Sequence, residues 1–143
     1  MDLLSLENAS LIVDKCIEKG KEMGFAPLTV AVLEASGTLK VLKREDGSSL
    51  LRPEIAIGKA WGVLAMGYGG RELARRAAKA PQFYQALNAM CGGRVVPVAG
   101  GVLIRNKKGI VIGSVGVSGD NSDNDEACAV FGIESVGLVA DRG

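Results

Sequence analysis

Apolar residues recur along the start of the chain at Leu6, Ala9, Ile12, Val13, Cys16 and Ile17, the spacing of one helix face. Ser5 stands just before them as a candidate N-cap, Leu4 precedes it, and Glu7 lies in the first turn. The pattern predicts a helix to about Met23, stopped by Gly24. Cys16 falls on the apolar stripe and reads as a core thiol. The period then shortens. Leu28–Glu34 and Thr38–Lys43 are β-rich runs around Ala35-Ser36-Gly37, which predicts a hairpin. After the loop at Gly47-Ser48-Ser49, Pro53 suits the first turn of a second helix to about Met66. Small residues at Ala56, Gly58, Ala60, Gly62 and Ala65 would let another backbone approach that helix. Lys59 is the one charge in its middle, a snorkelling lysine or a desolvated base. Two short helices follow, Arg71–Lys79 and Pro81–Met90, and Gly92-Gly93 closes the helical half.

A second hairpin is predicted from Val96–Arg105 and Ile110–Ser118 around the turn Asn106-Lys107-Lys108-Gly109. Its second strand runs into Gly113, Gly116 and Gly119, spaced by three, and then an acidic stretch that opens a helix. This resembles a phosphate loop only superficially. A dinucleotide fingerprint belongs in a strand-to-helix turn of a parallel unit, whereas a four-residue turn makes these strands antiparallel neighbours. A calcium loop is excluded as well, because Asp120, Asp123 and Asp125 miss the ligand spacing and Phe131 stands where a glutamate is needed. The plain reading is a strand meeting a helix capped by Ser122, with acidic residues at its positive end. Pairing Arg105 with Ile110 would set Gly100 and Gly101 opposite Val115 and Ser114, Pro97 opposite Ser118, and Arg94 level with Asn121. Lys59, Arg94, Gly100, Gly101, Ser118, Gly119 and Ser122 are therefore the candidate ligand-binding residues, forming a corner for a small anionic group.

Composition narrows the chemistry. The 143 residues fit one α/β domain of the α+β type, and a net charge of +1 gives no field to recruit nucleic acid. Arg71, Arg75, Arg76 and Lys79 read as a solvated helix face. Mean hydropathy is +0.22 without an 18-residue apolar run, so no membrane span is expected. Neither face of Ile110–Ser118 reads as water-facing, and the expectation is a homo-oligomer, dimer or larger, in the cytoplasm. Cys16, Cys91 and Cys128 form no CxxC pair, and no metal site is expected. The chain has no histidine, which removes serine- and cysteine-triad catalysis together with imidazole ligation.

Pro97 with Ala99-Gly100-Gly101, then Gly109, then "IGSVGVSG" followed by Asp125-Glu126, resembles the C-terminal signature of the GlcG/HbpS-like family. The opening helix and hairpin and "IGKAWGVLA" around Lys59 follow the same family's order, so the resemblance spans nearly the whole chain. It implies a single profilin-like domain over residues 1–143, with a central antiparallel sheet, packed helices and homo-oligomeric assembly. The family includes haem-binding and proposed haem-degrading proteins, and the C-terminal domain of PduO-type corrinoid adenosyltransferases. It therefore implies haem or a corrinoid as a possible cofactor. Haem-binding relatives can use a histidine ligand. Here Cys91, Tyr68, Tyr84 and the methionines would be the donors by chemistry. Three functional expectations follow: a binding or accessory protein for a tetrapyrrole or other carboxylate-bearing molecule, a small enzyme acting on a carboxylic acid with Lys59 in proton transfer, or an assembly element without a ligand.

Overall fold

The computed structural model describes residues 3–143. The chain runs α1 (Leu6–Glu22), β1 (Thr29–Glu34), β2 (Leu39–Arg44), α2 (Arg52–Met66), α3 (Gly70–Lys79), α4 (Pro81–Met90), β3 (Gly101–Arg105), β4 (Val111–Ser118), α5 (Ser122–Ser135) and β5 (Val139–Asp141). One antiparallel sheet of order β2-β1-β4-β3-β5 forms the middle layer, which is the α+β architecture implied by the resemblance.

Ser5 caps α1 as its sequence suggests, its Oγ accepting from Asn8 N at 3.1 Å, a bond contributing about 1 kcal/mol. The buried stripe of α1 lies on one side of the sheet beside α5, where Ile12, Val13, Val30, Val115, Val117 and Ile133 make the larger core. Gly132 opposes the Cys16 thiol and Ile12, so α1 and α5 meet at close range. On the other side, α2 covers β4, β1 and β3, and a second core joins Val63, Leu73, Tyr84, Val95 and Leu103. Both faces of β4 are thus covered by this chain's own helices, and their apolar character by itself requires no partner.

The second hairpin departs from the simple register. Gly101 pairs with Gly116, Val102 with Val115 and Leu103 with Ser114, and the ladder slips by one between Ile104 and Arg105. Asn106 is the reason at the turn: its Oδ1 accepts from Lys108 N and Ile110 N, both at 2.9 Å, which lengthens the turn beyond a direct Arg105–Ile110 pair. Residues 96–99 lie outside the ladder. The strand begins only at Gly101, and Gly100 takes φ +113°, where a side chain would be strained. The true register sets two glycines face to face beneath α2. A Cβ at Gly116 would run into the Ala56 carbonyl, and one at Gly101 into the Lys59 carbonyl. The glycines at spacing three therefore serve close backbone approach rather than a phosphate.

At the far end, Asn121 rather than Ser122 caps α5, its Oδ1 accepting from Asn124 N at 2.9 Å, and Ser122 is the first helical residue. Asn121 holds the extended backbone that a cap requires, whereas Ser122 is already helical. β5, which no period announced, adds a three-residue edge against β3. Among the described residues, no helix is long and apolar enough to cross a membrane.

Candidate functional site

The small residues of α2 bring Lys59 down onto the sheet rather than out to solvent. It is 3% exposed, and Nζ donates to Val117 O at 2.9 Å and to Asp125 Oδ2 at 3.1 Å. Asp125, fully buried on α5, accepts through Oδ1 from Asp120 N at 3.0 Å. Burial pushes the Lys59 ammonium below its ordinary value, opposed by the Asp125 charge. The same burial pushes the Asp125 carboxyl up, opposed by Lys59. A Cβ at Gly100 would stand 2.8 Å from Nζ, so that glycine makes the space the ammonium occupies. Ser118, also buried, receives Arg52 Nη1 on its Oγ at 3.0 Å. Gly119 lies half-buried against the Pro27 and Leu28 backbone, and Ser122 half-buried at the start of α5.

The structure thus joins Lys59, Gly100 and Ser118 around the end of β4, but as a filled corner. Its polar atoms are bound to one another, and no buried side-chain polar atom among the described residues lacks a partner. A general base must reach the proton that it removes, and Nζ is already committed to β4 and α5. Chemically, this corner ties three elements together.

Arg94 is elsewhere. The register that put it level with Asn121 extended the strand through residues that are not strand. Its side chain instead crosses to α2, where the guanidinium lies 3.8 Å from the Trp61 ring centroid while Nε donates to Cys91 O at 2.9 Å. Stacking of this kind contributes about 0.5–1 kcal/mol at an exposed site. Along the segment 93–97, Arg94 and Val96 line a hollow against α2, while Val95 and Pro97 line one against α3 and α4. A hollow lies on each side of it. The first, about 290 Å³, has Ile57, Gly58, Trp61, Arg94 and Val96 on its walls and Glu54 at its edge. The second, about 470 Å³, lies among Ala77, Pro81, Tyr84, Asn88, Val95 and Pro97. Both are open and mainly apolar, and they share Gly93. A flat apolar body could rest there with an anionic group toward Arg94.

The potential oxygen ligand beside this surface is constrained. Tyr84 is 8% exposed and shares a hydrogen bond with Tyr68 at 2.7 Å, while Arg76 lies 4.3 Å over the Tyr68 ring. Burial and the Tyr68 bond push the Tyr84 phenol up to about 12. Trp61 went unnoticed in the sequence, although the sole tryptophan of the chain two positions from Lys59 in a helix of small residues was a usable cue. The basic face of α3 is exposed, as its spacing implied, and its arginines are paired with acidic neighbours. Arg71 donates through Nε and Nη2 to Glu126 at 3.0 and 2.8 Å, and Arg75 and Arg76 pair with Glu72.

Known proteins share this arrangement. Over 135 residues the chain is 27% identical to the corrinoid adenosyltransferase PduO of Salmonella typhimurium, covering 94% of this chain and 39% of that protein. It thus spans about two-fifths of that relative's length. The crystal structure of a PduOC–heme complex superposes with a TM-score of 0.86 at 27% identity, covering 96% of this chain and 97% of the other. HbpS superposes with a TM-score of 0.82 at 29% identity, covering 95% and 92%. The sequence pattern described as haem degrading protein HbpS-like matches residues 4–134, from the α1 cap to the end of α5. With the same sheet, the same helices and nearly the whole length accounted for, this chain belongs to the HbpS-like family.

Proposed function

We propose that the chain binds a flat, largely apolar molecule bearing carboxylates, of the tetrapyrrole class, on the surface formed by Trp61, residues 93–97 and α4. The observation that carries this reading is the pair of apolar hollows meeting at Gly93 beside the Arg94–Trp61 stack. The likeness to a haem complex supports the ligand class. Tested against haem, the surface fits in its walls and in its cation, which would hold a propionate-like carboxylate. It does not fit in donors to iron. Neither hollow is lined by cysteine or methionine, the chain has no histidine, and Tyr84 is held as a phenol. The binding proposed here rests on the macrocycle faces and the carboxylates.

Arg94 is exposed and holds the fold only through its stack on Trp61 and its bond to Cys91 O, so removing it costs little stability. An arginine–carboxylate bond contributes about 1.5–3 kcal/mol, and Arg94→Ala should weaken the ligand about ten- to hundredfold. The test is titration of tag-free protein with hemin, followed by the visible absorbance and by quenching of Trp61, the only tryptophan. Saturable quenching with one ligand per chain, weakened in Arg94→Ala, is expected. Absence of saturation, or affinity unchanged by that substitution, overturns the assignment.

Self-association belongs to the same proposal. Phe83 (58% exposed), Ala86 and Met90 (77% exposed) share one outer face of α4, next to the second hollow. Light scattering at micromolar concentration should find a dimer or larger species, and a monomer would exclude it.

A further inference from the structure

We propose that this chain holds a tetrapyrrole without placing any side chain on the central metal, so that metal-free and metal-loaded forms bind alike. The inference rests on the binding surface assigned above and adds how its occupant is recognised. Among the described residues no cysteine or methionine lines either hollow, and the chain has no histidine. Cys16 and Cys128 are buried in the α1–α5 core, where burial pushes both thiols up, Cys128 to about 11. Cys91 is half-buried at the end of α4 and lines neither hollow, although its carbonyl anchors Arg94. Met66 packs into the core around Val63 and Leu73, Met23 lies at the end of α1, and Met90, on the outer face of α4, lines neither hollow.

Two of the oxygen donors that line the larger hollow are occupied. Tyr84 shares its hydroxyl with Tyr68 at 2.7 Å, and Asn88 Oδ1 accepts from Val95 N at 2.9 Å. Glu54, the one carboxylate among the residues that line the two hollows, is tested as a donor by substitution below. What remains is a surface for the ring faces and a cation for the ring's acids. Neither depends on the metal.

The experiment titrates tag-free protein with hemin and, in parallel, with metal-free protoporphyrin IX, both in detergent below its micelle concentration. Trp61 quenching reads both titrations, and porphyrin emission reads the second independently. Dissociation constants within about threefold of one another are expected, with both weakened similarly in Arg94→Ala. Hemin bound more than about tenfold tighter, with that advantage lost in Cys91→Ser, Tyr84→Phe or Glu54→Gln, overturns the inference while leaving the binding reading intact, and names the ligand. Hemin bound more than about tenfold tighter with the advantage kept in all three variants overturns it as well. If neither molecule binds saturably, the binding reading itself fails and takes this inference with it.

Discussion

Lys59→Met removes a buried ammonium while keeping most of the stem that packs on β4, and the consequence can be worked from the geometry. Asp125 would retain only the Asp120 N–H at 3.0 Å and would face α2 without a counter-charge. Breaking a buried pair from one side costs about 3–5 kcal/mol. The carboxyl has an escape, which sets a ceiling: it can take up a proton. From its ordinary value of 3.8, that costs about 4 kcal/mol at pH 7, at about 1.4 kcal/mol per pH unit. In the variant, the folded-state pKa of Asp125 is raised still further, because Lys59 was the group opposing the effect of burial. The folded state then binds the extra proton between the ordinary and the raised value, so stability falls as pH rises through that window. Urea unfolding of Lys59→Met against the parent should show a deficit of up to about 4 kcal/mol at pH 7, smaller by up to about 3 kcal/mol at pH 5. Adding Asp125→Asn should remove the pH dependence of the deficit. A deficit equal at both pH values, or below about 1 kcal/mol at pH 7, would refute the reasoning.

Other perturbations follow from the same structure. Gly116→Ala forces a methyl into the Ala56 carbonyl, and thermal unfolding should show a loss of at least about 1–3 kcal/mol; an unchanged melting temperature would mean that α2 sits farther from the sheet. Carboxymethylation of native protein should modify Cys91 first and leave Cys16 and Cys128 largely intact, as read by peptide mass. Asp120 accepts from Ala26 N and Asn121 N, each at 2.8 Å, and these bonds hold its carboxyl below the ordinary 3.8. Its stabilisation is present above that value and fades as pH falls through the depressed one, so Asp120→Asn should flatten the acid limb of a stability–pH curve below about pH 4.

Local chemistry was legible along this chain wherever a single element decides it. Ser5, Gly24 and Pro81 mark their helix ends in the sequence as they do in space, because capping and the proline ring act within one turn. The second hairpin was legible as a hairpin and not in its register. The Asn106 side chain and the slip at Arg105 shift every partner, and no period records a bulge. The strand also begins only at Gly101, so Arg94 lies outside the sheet and apart from the corner assigned to it. The small residues around Lys59 announced a close neighbour correctly. They could not say that the neighbour was a bare pair of glycines, nor that Asp125 would arrive from a helix 66 residues away. β5 had no pattern to read, since three residues complete no alternation.

The sheet's two margins restrict how copies of this chain can meet. β2, at one margin, carries Lys40, Lys43 and Arg44, the two lysines paired with Glu34 and Asp14, and a second strand laid beside it would have to pack against these charged groups. β5, at the other, is three residues long and ends at an aspartate already engaged by Arg105 at 2.9 Å. Strand-by-strand growth into a continuous ribbon is therefore disfavoured at both margins. The proposed oligomer has helices for its contact surfaces. Its interface would be built of side chains, tunable one residue at a time, beside the hollows where the ligand is proposed to lie.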